Sequence, residues 1–215
     1  ELTSYETRLW FVFVFIPLLP LGRKRVSDQC AVCNRHFAID LKQWQTGRQS
    51  ETASAIQRYR EDRSEEAALE VHGQLLGFQQ YDDAAAFRST MLEEFPESAQ
   101  LVAGIAAHLD FIGLPDEAAE LWERSFRLDP ELPEARVGIA SQRLRDGKPD
   151  EARELLRFLE QPGAEQQYRL EPLFDLGGHF QQAGDHEQAI EIFEVLLKVY
   201  PELTKDHQVR TFVNT

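Results

Sequence analysis

The chain is poor in cysteine and has no long apolar segment. Cys30 and Cys33 are its only cysteines among 215 residues. They would close too short a loop to form a disulfide framework, so the pair indicates metal binding or intracellular redox chemistry. The longest apolar run, Trp10–Leu21, has twelve residues and two prolines. A membrane-spanning helix needs about 20 apolar residues, so none is predicted.

Beyond residue 50, acidic residues outnumber basic ones. The formal net charge is -14, yet residues 1–50 carry seven Lys and Arg against four acids, which leaves -17 on the remainder. An acidic body repels phosphates, so a nucleic-acid partner is not expected. A basic head on an acidic body indicates two modules with different partners.

Recognisable catalytic motifs are also missing. The sequence contains no glycine-rich phosphate loop, nucleophile elbow or zinc-protease motif. Histidines are scattered, and His108 and His179 hold equivalent places in a repeat, which favours repeat geometry over a ligand cluster. We therefore predict a non-enzymatic protein without a small-molecule substrate.

What the sequence does contain is a repeat of small residues. Ala84, Ala118 and Ala152 lie 34 residues apart, and Ala189 follows after 37. The three additional residues fall in "QPGAEQQY", residues 161–168, where Pro and Gly indicate a loop. A period of this length is typical of arrays of helix pairs.

Each repeat predicts two helices. In the last one, Leu173, Leu176 and Phe180 follow a helical spacing, and a second apolar face begins at Ala189. Elsewhere the second helix opens with "LPDEAAEL" or "KPDEAREL". Proline in the first turn, followed by acids at the positive end of the helix dipole, is typical of a helix start.

The segment "LFDLGGHFQQAGDHEQAIEIFEVLLKVYP", residues 173–201, resembles a tetratricopeptide repeat. The family's Leu-Gly, aromatic, Ala, aromatic and Pro signature matches Leu176, Gly177, Phe180, Ala189, Phe193 and Pro201. The resemblance implies a mostly α protein, an α-solenoid of helix pairs with a concave face. Four units are predicted at 65–98, 99–132, 133–169 and 170–203, followed by a partial cap or truncated fifth unit at 204–215. The third unit departs from the family at Arg143, where an aromatic residue is usual.

The same resemblance implies that the first helix of each pair lines a groove for a partner protein. An amphipathic helix or extended segment with apolar anchors and some basic residues would suit this groove. A solvated spacer with no ligand is the alternative. The predicted partner-binding residues are Gln100, Asp110, Phe111, Glu134, Arg145, Glu171, Phe174, Gln181 and Gln182.

The head, residues 1–48, does not follow the repeat. Its aromatic and β-branched residues, interrupted by Pro17, Pro20 and Gly22, predict two strands, with a third at "HFAIDLKQW". A helical linker is predicted at 49–64. The sequence therefore predicts that the head is a small β module that precedes the helical array along the chain.

The stretch "WFVFVFIPLLPLGRKRVSDQCAVC" resembles a bacterial zinc-ribbon family. The resemblance implies that Cys30 and Cys33 are the second of two zinc knuckles, and that the first would precede residue 1. Asn34 stands where the family has glycine, and it tolerates the left-handed backbone such a knuckle requires. The alternatives are His36 as a third ligand, a redox pair, and two reduced cysteines without metal.

Together these features predict a cytoplasmic adaptor that holds protein partners as an accessory subunit of a larger assembly. The rival interpretation is a membrane-associated subunit that contacts lipid or a membrane protein through Trp10–Leu21.

Overall fold

The computed structural model describes residues 2–13, 16–160 and 170–199. The predicted mostly α architecture with a small N-terminal β module is confirmed within these ranges. The predicted cap at 204–215 lies outside the described residues. The elements are β1 (Leu2–Phe13), β2 (Ile16–Cys30), β3 (Phe37–Asp40), α1 (Leu41–Glu61), α2 (Glu65–Gly77), α3 (Tyr81–Glu94), α4 (Ala99–Phe111), α5 (Pro115–Leu128), α6 (Pro133–Arg145), α7 (Pro149–Glu160), α8 (Leu170–Gln182) and α9 (His186–Val199).

The chain forms two compact units, Glu1–Ala85 and Ala86–Thr215. The first unit contains the sheet, α1 and α2. The second contains the helix pairs α4/α5, α6/α7 and α8/α9. The boundary falls inside α3, and so within the first predicted repeat, 65–98, rather than at residue 64.

The sheet is antiparallel with the strand order β1-β2-β3. Arg8 lies opposite Arg23, and the register shifts between Leu9 and Trp10, where the partner changes from Gly22 to Pro20. The third strand pairs with β2 only from Lys24 to Ser27. Most of the β1–β2 hairpin therefore extends beyond the three-stranded part of the sheet.

Helix α1 begins earlier than the sequence predicts. The Asp40 carboxylate accepts hydrogen bonds from the backbone N–H groups of Lys42 (3.0 Å) and Gln43 (3.1 Å). Aspartate is a favourable N-cap because it satisfies donors that the first turn leaves unpaired. The cap ends the strand at Asp40 and starts the helix at Leu41, so the last eight residues of the predicted 1–48 module are helical, and the linker predicted at 49–64 is the continuation of α1.

Aromatic contacts join the sheet to the helices of the first unit. The rings of Trp44 and Phe78 meet edge-on at 5.1 Å, and the Arg25 guanidinium lies 4.9 Å from the centre of the Trp44 ring. Arg25 also donates to the side-chain oxygen of Gln79. Burial of Ala55 and Val71 completes a small apolar core between α1 and α2.

The second unit follows the predicted repeat closely. Proline occupies the first turn of α5, α6 and α7, where its missing N–H has no helical partner to lose. Gly113, Gly147 and Gly184 have positive φ and end the first helix of each pair. The repeated alanines are buried. Small side chains at these positions let the two helices of a pair approach closely.

Two aromatic rings close the helix interfaces of this unit in different ways. Trp122 on α5 covers Gly138 on α6, the next helix pair, so that a Cβ at residue 138 would lie 2.2 Å from Trp122 Cδ2. Phe193 on α9 covers Gly177 on α8 of its own pair, with a corresponding distance of 2.8 Å. The first ring joins neighbouring pairs, and the second joins the helices of one pair.

Arg143 departs from the repeat in structure as well as in sequence. Its equivalents Leu109 and Phe180 are each 1% exposed, whereas the side chain of Arg143 is 29% exposed. The guanidinium lies 3.4 Å from Glu123 on α5 and 3.2 Å from Glu151 on α7. A charged network thus replaces apolar packing at this position.

Candidate partner-binding groove and cysteine knuckle

A groove of about 470 Å³ crosses the first helices of the second unit. Helices α4, α6 and α8 pack side by side, so their surfaces form one continuous face. The turn between α4 and α5 closes one side. The lining residues are Asp110, Gly113, Pro115, Ser141, Leu144, Arg145, Glu171, Asp175 and His179.

Helical spacing explains why α8 supplies three polar side chains. Glu171, Asp175 and His179 are separated by four residues each, which places them on one face of the helix. On α6, Ser141 and Arg145 have the same spacing. Asp175 and His179 are not among the predicted partner-binding residues, although this periodicity could have identified them.

The groove carries more negative than positive charge. Asp110 accepts a hydrogen bond from Trp122 Nε1 (2.7 Å), and its carboxylate lies 3.7 Å from the Arg145 guanidinium. Across the described ranges, no Lys or Arg lies within ion-pair distance of Glu171 or Asp175. Two of the three carboxylates therefore face the groove without a Lys or Arg partner from the described part of the chain.

Partial desolvation and a neighbouring acid act on Asp175, whose side chain is exposed. Desolvation in the groove, followed by repulsion from Glu171, raises the pKa of the Asp175 carboxyl above its usual value, and the charge of His179 opposes this. A carboxylate in such a site gains stability when a cation approaches. The electrostatics of the groove therefore favour a positively charged ligand.

The structure brings together only part of the predicted partner-binding set. Asp110, Arg145 and Glu171 line the groove. Phe111 follows Asp110 at the end of α4 and is 92% exposed. Phe174 is half-buried, and its ring packs edge-on against Phe193 with 6.0 Å between centres, so it contributes to the helix interface. The remaining residues, outside the groove lining, are Gln100 and Gln182, which are exposed, and Glu134 and Gln181, which are half-buried.

The cysteine segment forms a tight turn. The Cys30 N–H donates to the Arg35 carbonyl, and the Asn34 N–H donates to the Cys30 carbonyl, both at 2.9 Å. Asn34 has a φ of 56°, the left-handed conformation expected for the residue after a knuckle. Backbone N–H groups of Cys33 and then Val32 lower the pKa of the Cys30 thiol, because they stabilise its thiolate.

Cys30 and Cys33 are free thiols in this turn, Cys30 half-buried and Cys33 exposed. Zinc in closed sites takes four ligands, and amides directed at sulfur suit a thiolate ligand. His36 Nδ1 lies 2.9 Å from the Asn34 carbonyl oxygen, which engages that ring nitrogen. The part of the chain that the structure describes contains no group of three or more His, Cys, Asp or Glu side chains placed to hold a metal ion.

The stacked helix pairs with a groove along their first helices define an α-solenoid of the tetratricopeptide type. The family model for the tetratricopeptide repeat matches residues 173–202, which confirms that part of the resemblance but not the zinc ribbon. This is the fold of protein-interaction scaffolds, and such scaffolds are generally non-enzymatic.

Two crystal structures of MamA share the fold. One is 14% identical, with a TM-score of 0.54, and the match covers 77% of this chain and 90% of that one. The other is also 14% identical, with a TM-score of 0.55 and coverage of 78% and 99%. At this identity the likeness shows the fold alone.

No curated protein sequence matches the chain significantly. Among the helices that the structure describes, none is long and apolar enough to cross a membrane.

Proposed function

We propose that this protein is a non-enzymatic scaffold whose groove on α4, α6 and α8 binds a segment of a partner protein. The observation that carries the proposal is the groove itself, because side chains from three successive helix pairs converge on one elongated site. A site built in this way can contact several residues of a bound peptide at once. An accessory role within a larger assembly accords with such a binding mode.

The lining indicates what kind of segment fits. Glu171 and Asp175 favour a Lys or Arg side chain of the partner. Phe111, the exposed neighbour of the groove residue Asp110, offers an apolar contact. The best ligand is therefore a peptide with basic residues next to apolar ones, which binds as an extended strand or a helix.

A peptide-display selection on the immobilised full-length chain tests this proposal. We expect enriched peptides to combine Lys or Arg with apolar residues, and Asp175→Lys to weaken their binding at least about tenfold, since a like charge replaces an attractive one. The matched control is Glu120→Lys, which makes a similar charge change on an exposed position of α5 outside the groove lining. Equal losses in both variants, or enrichment of acidic peptides, would refute the groove assignment.

The raised pKa of Asp175 allows the groove proposal to be tested by the pH dependence of peptide binding. Because the carboxyl takes up a proton at a higher pH than an ordinary aspartate, the groove loses part of its negative charge earlier on acidification. Binding of a basic peptide should weaken as the pH falls through this raised pKa, and should recover as the pH rises. Asp175→Asn should flatten that part of the pH profile, whereas Asp116→Asn, on an exposed aspartate of α5, should leave it unchanged.

We also propose that Cys30 and Cys33 provide one half of a zinc site. The supporting observations are the tight turn from Cys30 to Arg35, the left-handed Asn34 and the lowered pKa of the Cys30 thiol. The other ligands must come from residues that the structure does not describe or from a second polypeptide. Metal analysis of purified protein should show zinc that is lost in Cys30→Ser, and the protein should keep its helical circular dichroism. Zinc retained by this variant would remove Cys30 from the site.

A further inference from the structure

The β1–β2 hairpin presents apolar side chains to solvent. The third strand covers only the base of the hairpin, and the buried residues Val26 and Leu41 belong to that base. Beyond Arg8 and Arg23 both edges of the described ribbon are open. An apolar surface of this kind marks an interaction site. The exposed fractions are 44% for Trp10, 52% for Val12, 61% for Leu19 and 65% for Leu21.

Cations surround the ribbon just below its apolar part. Arg8 lies opposite Arg23, and Lys24 lies opposite Thr7. Neighbouring strand residues point to opposite faces, so the two arginines occupy one face and Lys24 the other. We call Arg8, Arg23 and Lys24 the cation collar.

The charges of the collar are only partly neutralised by the protein itself. Arg23 pairs with Glu6 at 2.8 Å and Lys24 lies opposite Asp40 on β3, whereas Arg8 has no ion-pair partner within the described ranges. Like charges directly opposite each other destabilise a strand pair. The pairing of Arg8 with Arg23 therefore does not stabilise the hairpin, and Arg8 provides positive charge for an external ligand.

We propose that the apolar part of the described ribbon inserts into the surface of an anionic lipid bilayer, with the cation collar among the headgroup phosphates. Arg8 and Val12 are four residues apart, which corresponds to about 13 Å along a strand and is less than half the hydrocarbon core of a bilayer. Trp10 lies between them, at the level where tryptophan prefers the membrane interface. Cations on both faces suit a ribbon that headgroups surround, since anionic headgroups attract juxtamembrane Lys and Arg.

Backbone polarity limits the depth of this insertion. Open strand edges in hydrocarbon leave N–H and C=O groups without partners, at several kcal/mol each. Pro17 and Pro20 remove two N–H donors from β2, which lowers that penalty near the tip. The ribbon is therefore suited to the interface and not to spanning the bilayer.

Vesicle binding by the full-length chain tests the proposal. We expect cosedimentation with vesicles of phosphatidylcholine containing phosphatidylglycerol at low salt, and little with phosphatidylcholine alone. The net charge of -14 opposes this attraction, so binding must come from a local site. Arg8→Gln with Lys24→Gln should weaken binding about fivefold for each cation removed. The matched control Arg127→Gln with Lys198→Gln removes the same charge from exposed positions of the second unit.

Insertion of the ribbon into the bilayer can be measured separately, by the fluorescence of Trp10. Trp10 emission should shift to shorter wavelength on binding and be quenched by brominated lipid chains, and Trp10→Phe should abolish both signals. Leu19→Ser with Leu21→Ser should reduce binding by more than about tenfold without altering the circular dichroism, because both side chains are exposed in the free protein. The proposal is overturned if the wild-type chain stays in the supernatant, if the collar and control variants lose binding equally, or if Trp10 does not respond.

Discussion

The second unit contains two aromatic–glycine contacts that look alike and are built differently. Trp122 reaches from α5 to Gly138 on the next helix pair, and its indole N–H is held by Asp110 on α4. Phe193 reaches Gly177 within its own pair and packs edge-on against Phe174. The first contact thus couples three helices from two pairs, while the second holds together a single pair. Trp122 and Phe193 occupy the same position of the repeat. The difference shows that an aromatic ring at this position can connect two neighbouring helix pairs or pack the two helices of one pair together, according to its size and polarity.

The largest expected effect is at the contact between pairs. In Gly138→Ala the new methyl group would overlap the Trp122 ring, which its hydrogen bond holds in place, so we expect a destabilisation of about 3 kcal/mol. Urea unfolding followed by circular dichroism measures it. Gly178→Ala is the matched control, because a Cβ there meets nothing within 4 Å. A loss below about 1 kcal/mol for Gly138→Ala would mean that the ring moves freely.

The hydrogen bond that holds Trp122 can be removed without changing the glycine, together with the 3.7 Å contact between Asp110 and Arg145. Asp110→Ala should destabilise the chain by about 2 kcal/mol, since a hydrogen bond from a partly buried indole to a charged acceptor is lost. Asp110→Asn keeps an acceptor for the indole and should lose less than half as much. If both variants were equally unstable, the charge of Asp110, and not its hydrogen bond, would be the stabilising feature.

The contact within a pair should tolerate change better. Gly177→Ala brings a Cβ to 2.8 Å from the edge atoms of Phe193, a ring without a hydrogen bond to hold it, so we expect a loss of about 1 kcal/mol. Combining it with Phe193→Leu should restore part of the loss if the clash is the cause. The same unfolding experiment decides this, and a loss larger than that of Gly138→Ala would reverse the comparison.

The smallest effect is expected where charge replaces packing. Arg143→Met removes ion pairs with Glu123 and Glu151, but these lie near solvent, so the change should stay below about 1 kcal/mol and shrink with added salt. Arg157→Met is the control, on a more exposed arginine whose ion pair in the described part of the chain is with Glu154 in its own helix. A large loss that persists at high salt would show that the alkyl part of Arg143 packs like Leu109.

The helices were predictable because their determinants are local and repeated. Alanines at a fixed spacing, prolines at helix starts and glycines at helix ends specify each pair without knowledge of its neighbours. Contacts between repeats were not predictable in this way. Nothing in the spacing of Trp122 and Gly138, 16 residues apart, distinguishes a ring that crosses to the next pair from one that stays in its own.

The groove was partly predictable for the same reason. Asp110, Arg145 and Glu171 follow from helix periodicity, and Asp175 and His179 could have followed from it. Phe174 was assigned to partner binding, yet its ring lies against Phe193, because an aromatic side chain on a first helix can turn toward the second. The start of α1 depends on a single capping aspartate, a signal that the strand-like sequence around it obscures.

The bond between Trp122 and Asp110 connects a fluorophore directly to the wall of the groove. A cationic ligand that approaches the Asp110 carboxylate will alter the electric field at the Trp122 indole. The fluorescence emission of Trp122 will change as a result. The other two tryptophans, Trp10 and Trp44, belong to the first compact unit, and their replacement by phenylalanine leaves one spectroscopic reporter. The molecule thus carries a built-in optical sensor of groove occupancy, with which ligands can be titrated without any attached dye.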